Sequence, residues 1–404
     1  MTRRLYHDDA YLRRFEADVV ALTTFKTRPA VVLDRTAFYP EAGGQLGDRG
    51  VLVDSFGGAQ IVDTQETDDG TIVHVLADGA TAPTLGSRVT GELDWARRRQ
   101  HMAQHTAQHL LSGALLDRAT AATVSARLGE SSLTIDVQRD RIPEAELAAA
   151  EDLANDLVDD DLEIRAWFPA PDELAQLKLR RDPKVDADIR VVAIGGFDFS
   201  PCGGTHCSRT SQLGAVHITG AERYKGMTRV TFTAARRGRA ELFTRDHVLR
   251  GLATQFSCAP TEVPAAIDKL RRDAAASSDE LTQLRSKLGS MLLAQLTAGD
   301  ANPVIAVLDA ARGDAELVRG VAAKLVSAGR DAILCAPNAS TEGGDPGSTV
   351  VLMRAAGSRL DCGATWKQLA AQLGGKGGGR AERAEGRITA PVADWAATVS
   401  AILG

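Results

Sequence analysis

The stretch QHMAQHTAQHLLSG, which begins at Gln100, holds three of the chain's eight histidines. His101, His105 and His109 are spaced four apart, and a helix returns to the same face every three to four residues. His105 and His109 can therefore share one ion, and so can His101 and His105. All three cannot, because that span covers about 12 Å of helix axis. Zinc binds imidazole at about 2 Å in near-tetrahedral geometry and needs two further donors. The segment SPCGGTHCSRT supplies candidates: Cys202 and His206 form a Cys-x3-His pair around Gly203, Gly204 and Thr205. Glycines between ligands let a backbone fold back around an ion. Cys207 is adjacent to His206, so its side chain points away. Either pair alone is a weak signal; together, in a chain with few other histidines, they make a metal site the expected reading. A zinc-protease helix is excluded, because Thr106 stands where HExxH has its Glu.

Such a site needs a helix and a loop held in register. From Trp95 to Leu116 apolar residues recur at helical spacing with no proline, which predicts the helix that presents the histidines. The CGGTH loop follows a strand-like run, IRVVAIGGF. Upstream, residues 16 to 95 read as short β-branched strands punctuated by Gly and Asp, with a tight glycine-rich turn at EAGGQLGDRG; a small β-barrel or strongly curved sheet is expected. A second helix is predicted at PEAELAAAEDLANDLVDDD, with Pro143 at its start. Strands are predicted at SSLTIDVQ, EIRAWFPA, IRVVAIGGF, GAVHITGAER and MTRVTFTAA. Residues 240 to 296 contain few turn formers and suit an antiparallel helical hairpin or short coiled coil. The remainder alternates strand and helix, as an α/β domain does. The expected fold class is α+β in four parts: a β-barrel over 1–95, a zinc-containing α+β domain over 96–240, helices over 241–298 and an α/β domain over 299–404.

The bulk composition narrows the function. Lys and Arg number 47 against 53 Asp and Glu, a net charge of −6, which argues against a broadly basic nucleic-acid binder. Three local basic patches remain, at Arg97-Arg98-Arg99, around Arg236-Arg237-Gly238-Arg239, and from Lys376 to Arg380; solvated surface is the simplest reading of each. No apolar run reaches the length of a membrane span, no signal peptide is visible, and no membrane partner is expected. Five scattered cysteines do not make a disulfide framework. A reducing, cytoplasmic setting is expected. Lys376 is followed by Gly377 rather than Ser or Thr, so no Walker A motif is present.

The motifs together resemble a known family. HTAQHLLSGAL with PCGGTHC is similar to the HxxxH and CxxxH motifs of the alanyl-tRNA synthetase editing domain and of its free-standing relatives, the AlaX proteins. FYPEAGGQLGDRG resembles the glycine-rich segment that precedes the zinc domain in the long AlaX form, and LGGKGGGRAERAEG the glycine-rich signature of the synthetase's C-terminal DHH-associated domain. The three occur in the family order over nearly the whole chain. The resemblance implies a zinc-dependent aminoacyl-tRNA deacylase with His105, His109, Cys202 and His206 as ligands. It would hydrolyse the ester joining a wrong amino acid to alanine tRNA, with serine the expected cargo and glycine a further one. Because the chain opens at Met1 directly before the β-rich module, ATP-driven charging is not expected.

Further roles are expected from the residues themselves, and for Arg229 from the resemblance. Thr106 is expected to face the pocket, Gln45 to donate to the substrate, and Arg229 to meet the terminal phosphates of the tRNA. His206 is the expected displaceable ligand. Lys376, Gly377, Gly378 and Arg380 are expected to bind RNA, with backbone N–H groups cradling phosphate, and the helical or C-terminal region offers a route to a homodimer. One departure is visible: Ala126 stands where the family's editing domain has a Gln. Two alternatives stay open, an RNA-binding protein with a purely structural zinc and a deacylase for another mischarged tRNA.

Overall fold

The computed structural model describes residues 2–55, 57–183, 185–339, 347–390 and 392–404. Its contacts divide the chain into two compact units, Met1–Gly251 and Leu252–Gly404. Among the described residues no helix is long and apolar enough to cross a membrane.

The first unit opens with a closed six-stranded barrel. Its strands are β1 (Arg14–Phe25), β2 (Arg28–Leu33), β3 (Gly50–Asp54), β4 (Gly57–Glu66), β5 (Ile72–Leu76) and β6 (Arg88–Leu93). They close in the order β1-β2-β5-β4-β3-β6, every pair antiparallel. Alternate residues of β1, Phe15, Ala17 and Val19, point inward, where Leu33, Phe38, Leu52, Ile61 and Leu76 meet them. The barrel is thus the outcome of the two shapes the strand pattern allowed. Its closing strand, β6, lies in SRVTGELDW, where an interior Gly weakens the strand signal.

The barrel feeds directly into α1 (Trp95–Ala119), whose first turn is capped by the Asp94 carboxylate accepting from Arg97 N–H at 3.1 Å. Every residue from His101 to Leu115 is buried. This is a central helix, enclosed by α2 (Glu144–Asp159) and by a four-stranded sheet, rather than one with a single apolar face. The sheet runs β12-β13-β8-β7, formed by β7 (Thr123–Leu128), β8 (Leu133–Val137), β12 (Val216–Tyr224) and β13 (Met227–Ala234). A three-stranded antiparallel sheet, β9 (Ile164–Trp167), β10 (Val191–Ile194) and β11 (Asp198–Pro201), delivers the CGGTH loop at its end. The basic run 97–99 is not simple solvated surface. Arg98 is fully buried and pairs with Asp48, with its Nε at 2.9 Å from Asp48 Oδ2 and its Nη1 donating to the Ala10 carbonyl. That pair ties the turn after the glycine-rich segment to the histidine helix.

The helices α3 (Ala235–Phe256) and α4 (Val263–Leu296) follow, and the boundary between the two units falls within α3. In the second unit a five-stranded sheet runs β14-β15-β16-β18-β17, from β14 (Val304–Val307), β15 (Ala332–Pro337), β16 (Ser348–Met353), β17 (Gly375–Gly379) and β18 (Arg383–Ile388). Side chains alternate along β15. Leu334 and Ala336 pack with α5 (Ala315–Ser327) and the end of α4. Ile333 and Cys335 pack on the other face with α6 (Cys362–Leu373) and α7 (Trp395–Leu403). Gly375–Gly379 of the GGKGGG segment forms an edge strand of this sheet. Its glycines, with Gly386 on β18, leave room for the Trp366 ring, which lies where a Cβ on Gly377 or Gly386 would stand. The β17–β18 hairpin escapes a pattern search because it has almost no apolar side chains to alternate.

Candidate metal centre

His105, His109, Cys202 and His206 converge, with one donor atom from each lying within 4.8 Å of all the others. Helix α1 presents two of them one turn apart, and the loop after β11 folds the other two onto it. The turn is tight because Gly204 lies against the imidazole of His105, where no Cβ would fit. His101 stands outside the cluster; its Nδ1 has no partner, and burial lowers its pKa to about 4.

The tautomers are set by groups behind the cluster. Gln45 Oε1 accepts from the Thr205 backbone N–H at 3.2 Å, and its Nε2 donates to Thr205 Oγ1 at 2.8 Å. A backbone N–H can only donate, so the amide orientation is fixed. The same oxygen lies 2.8 Å from His105 Nδ1, which must then carry the proton. His105 Nε2 keeps its lone pair, 3.5 Å from Cys202 Sγ. Thr106 does the same for His206. Its hydroxyl donates to the Met102 carbonyl at 2.9 Å and accepts from Cys207 N–H at 3.1 Å. It can therefore only accept from His206 Nδ1, at 3.1 Å. His206 Nε2 lies 3.4 Å from Cys202 Sγ. His109 turns its Nδ1 toward Asp198 at 3.6 Å, an electrostatic approach longer than a hydrogen bond. Arg180 Nε and Ser200 Oγ hold that carboxylate at 2.6 and 2.9 Å.

The electrostatics suit a cation. Burial resists ionisation of Cys202, but the charges of His105, His109 and His206 outweigh it and hold the thiol well below its ordinary value. Burial pushes His206 down to about 3 and lowers His105 as well. Burial also works against protonation of His109, yet Cys202 and Asp198 keep it raised. One thiolate and three imidazoles form a borderline-soft donor set of the kind zinc takes. A tetrahedral ion at zinc–ligand distances of about 2.0–2.3 Å separates its donors by roughly 3.3–3.8 Å, and the two sulfur–nitrogen distances fall in that range. The residues present fit the metal.

Gln45 and Thr106 lie against the histidine cluster. Both are fully buried, and neither lines the pocket of about 360 Å³ that opens beside Cys202, Gly203 and Gly204. Gln45 bonds His105 and Thr205, and Thr106 bonds His206, the Met102 carbonyl and Cys207 N–H. Nor is His206 held more loosely than its neighbours, since Thr106 braces it as Gln45 braces His105. Arg229 is committed to its sheet: it pairs with Asp136 at 2.7 and 2.9 Å and its guanidinium lies 3.6 Å over the Tyr224 ring. Lys376, Gly377 and Gly378 are exposed on β17, with Arg380 just beyond it, in the second unit. Ala126 lies on β7, which runs past the glycine-rich turn; Leu128 N–H donates to the Gly44 carbonyl at 3.0 Å.

Comparison with known proteins agrees with this geometry. A family model described as tRNA synthetases class II (A) matches residues 12–97. One for the threonyl and alanyl tRNA synthetase second additional domain matches residues 189–231, which include Cys202 and His206. The alanyl-tRNA editing protein AlaX-L of Pyrococcus horikoshii is 31% identical over 96% of this chain and 95% of its own length. The chain belongs to the AlaX-L family. Alanine–tRNA ligases of Ignicoccus hospitalis and Thermococcus kodakarensis are 30% and 31% identical over 95% and 97% of this chain. Against those ligases this AlaX-L member spans only 41% and 42% of the length.

Sequence reasoning missed three parts of this AlaX-L site: Asp198 behind His109, Arg190 behind the loop, and the Arg98–Asp48 pair. A usable signal existed for two of them. Arg190 directly precedes the apolar run VVAI, and Asp198 opens the alternating strand DFSP, so both are charged residues placed where a strand points inward.

Proposed function

We propose that this protein removes a wrong amino acid from alanine tRNA by hydrolysing its ester bond, with serine the main cargo and glycine a second. We propose further that His105, His109, Cys202 and His206 hold a zinc ion for that purpose. The observation that supports this reading most strongly is the buried, pre-oriented set of four donors beside a pocket, in a chain of the AlaX-L family. The chemical need is plain. A site built for alanine excludes one added hydroxyl by only about 10², so a separate hydrolytic site removes the error.

A zinc ion there would polarise the ester carbonyl or acidify a water. The chain's own residues do the positioning. Gln45 and Thr106 each fix an imidazole tautomer, and Asp198 orients His109. The close approach of Gly204 to His105 sets the loop against the helix. The pocket beside Cys202 receives the aminoacyl end and limits the water that reaches it. Hydrolysis adds water oxygen to the carbonyl carbon and releases the ribose hydroxyl with a proton. Arg229 is assigned to the terminal phosphates of the tRNA, and Lys376, Gly377, Gly378 and Arg380 to RNA binding. The four-part division of the chain is kept as the working domain scheme.

One observation favours a second reading. Four protein donors form the closed shell of a structural site, which would leave an RNA-binding protein without turnover. Deacylation of Ser-, Gly- and Ala-tRNA(Ala), with and without a chelator, separates the two. Selective, chelator-sensitive loss of serine or glycine supports the hydrolase, and Cys202→Ala then loses both activity and metal. No turnover of any substrate by metal-loaded protein supports the structural reading.

A further inference from the structure

The metal cluster leaves one charged group unexplained. Arg190 is 6% exposed. Its Nη1 donates to the Cys202 and Gly204 carbonyls at 3.0 and 2.8 Å, bracing the ligand loop from behind. Its Nε has no hydrogen-bond partner. Among the described residues no carboxylate forms an ion pair with it. Arginine does not escape by losing its proton; the nearby Cys202 thiolate offsets part of its charge, but that sulfur is also a donor of the metal cluster. Three carboxylates do line the adjoining pocket, but Glu66 pairs with Arg4, and Asp182 and Asp188 are exposed. The Arg190 side chain lines this same pocket, which also reaches Cys202 and Gly204 and is walled by Tyr39 and Phe168.

We propose that Arg190 binds the phosphate of the terminal nucleotide that bears the ester, and that the pocket takes that nucleotide. The inference rests on the deacylase reading for the identity of the anion. An amino acid attached through its carboxyl group has lost that charge, so the substrate's anions are phosphates. With Nη1 fixed on the loop and Nε sealed from solvent, Nη2 is the nitrogen left to meet a phosphate oxygen. Because Arg190 holds the carbonyls of Cys202 and Gly204, a phosphate gripped there sits beside the cluster, as the phosphate nearest the reacting ester must.

The test compares 3′-O-seryl-adenosine with its 5′-monophosphate as minimal substrates, alongside Ser-tRNA(Ala). The wild type is expected to favour the phosphorylated ester by about 10- to 100-fold in kcat/KM, the value of a charge-assisted hydrogen bond. Arg190→Gln keeps a donor for the loop carbonyls; it should erase that preference, read as the ratio of kcat/KM for the two esters, while metal content stays at one equivalent. If the variant loses metal, the wild-type comparison still decides, together with the ratio of AMP to adenosine as inhibitors. Equal rates for the two esters in the wild type, with Ser-tRNA(Ala) hydrolysed, overturn the inference and leave the deacylase intact. If nothing is hydrolysed, the deacylase reading fails. Calorimetric binding of AMP against adenosine then reads the phosphate site by itself, and equal affinities overturn it.

Discussion

Gly204→Ala tests the metal centre at its tightest point. A Cβ there would stand well under 3.0 Å from His105 Cε1 and Nδ1 and at 3.2 Å from Gln45 Oε1, closer than Cβ atoms are found to neighbours. Ordinary carbon contacts lie near 3.5–4.0 Å, so the loop or the ring must yield by about 1 Å. Overpacking of that kind costs about 1–3 kcal/mol. Metal–ligand distances tolerate only about 0.2 Å, so the shift lands on the ligands. The expected result is a loss of at least 10- to 100-fold in zinc affinity, the size of a lost support behind a ligand histidine. Gly203→Ala is the control, because nothing lies within 4 Å of a Cβ at that position. Zinc affinity measured by competition with a chromogenic chelator, with folding checked by circular dichroism, compares the two. Wild-type affinity in Gly204→Ala, or an equal loss in Gly203→Ala, would refute the steric reasoning.

Four other outcomes are expected. Gln45→Met removes the acceptor that fixes the His105 tautomer and should weaken zinc binding by about 10- to 100-fold with little change in global stability; the same chelator competition reads it. Arg98→Met leaves Asp48 buried without its cation and should lower unfolding free energy by about 3–5 kcal/mol in urea titrations; a change below 1 kcal/mol would show the pair to be dispensable. Gly386→Ala drives a methyl into the Trp366 ring and should destabilise the second unit, seen in its tryptophan fluorescence, while zinc content stays unchanged. The last outcome concerns pH. His74 is buried in the barrel, its Nε2 facing Thr36 Oγ1 at 2.8 Å and its Nδ1 the Val31 carbonyl at 3.1 Å, and burial lowers its pKa to about 4. The unfolded chain binds that proton near pH 6.5 and the folded chain only near 4. Stability is therefore full above about pH 6.5 and falls as pH drops toward 4, by up to about 3 kcal/mol. His74→Gln should flatten that part of the profile, and an unchanged slope would assign it to other groups.

The four clustered donors were legible because each pair is local. HxxxH on a helix and CxxxH around two glycines are statements about neighbours in the chain, and the four converge as their spacing suggested. The groups behind them were not, because their partners lie far off in sequence: Gln45 and His105 are 60 residues apart, Arg98 and Asp48 are 50. Arg98 was misleading for a physical reason, since a run of three arginines reads as solvated surface until a barrel closes over one of them. The glycine strand β17 misled in the opposite sense. Its composition suits a loop, yet the empty side-chain positions are filled by the ring of Trp366 from α6.

The sequence by itself determined the donor types, their number and their pairwise spacing, and the strand and helix patterns of a mixed α+β chain that opens with a barrel. These depend on periods of two and 3.6 residues that any short segment displays. Only the tertiary structure showed that Gln45 and Thr106 hydrogen-bond the clustered histidines. It alone placed Asp198 behind His109 and left Arg190 buried beside the pocket with no carboxylate, among the described residues, paired to it. Hydrogen-bond direction, burial and counter-charge belong to groups brought together from separate strands and loops, and no local pattern records which of them will meet.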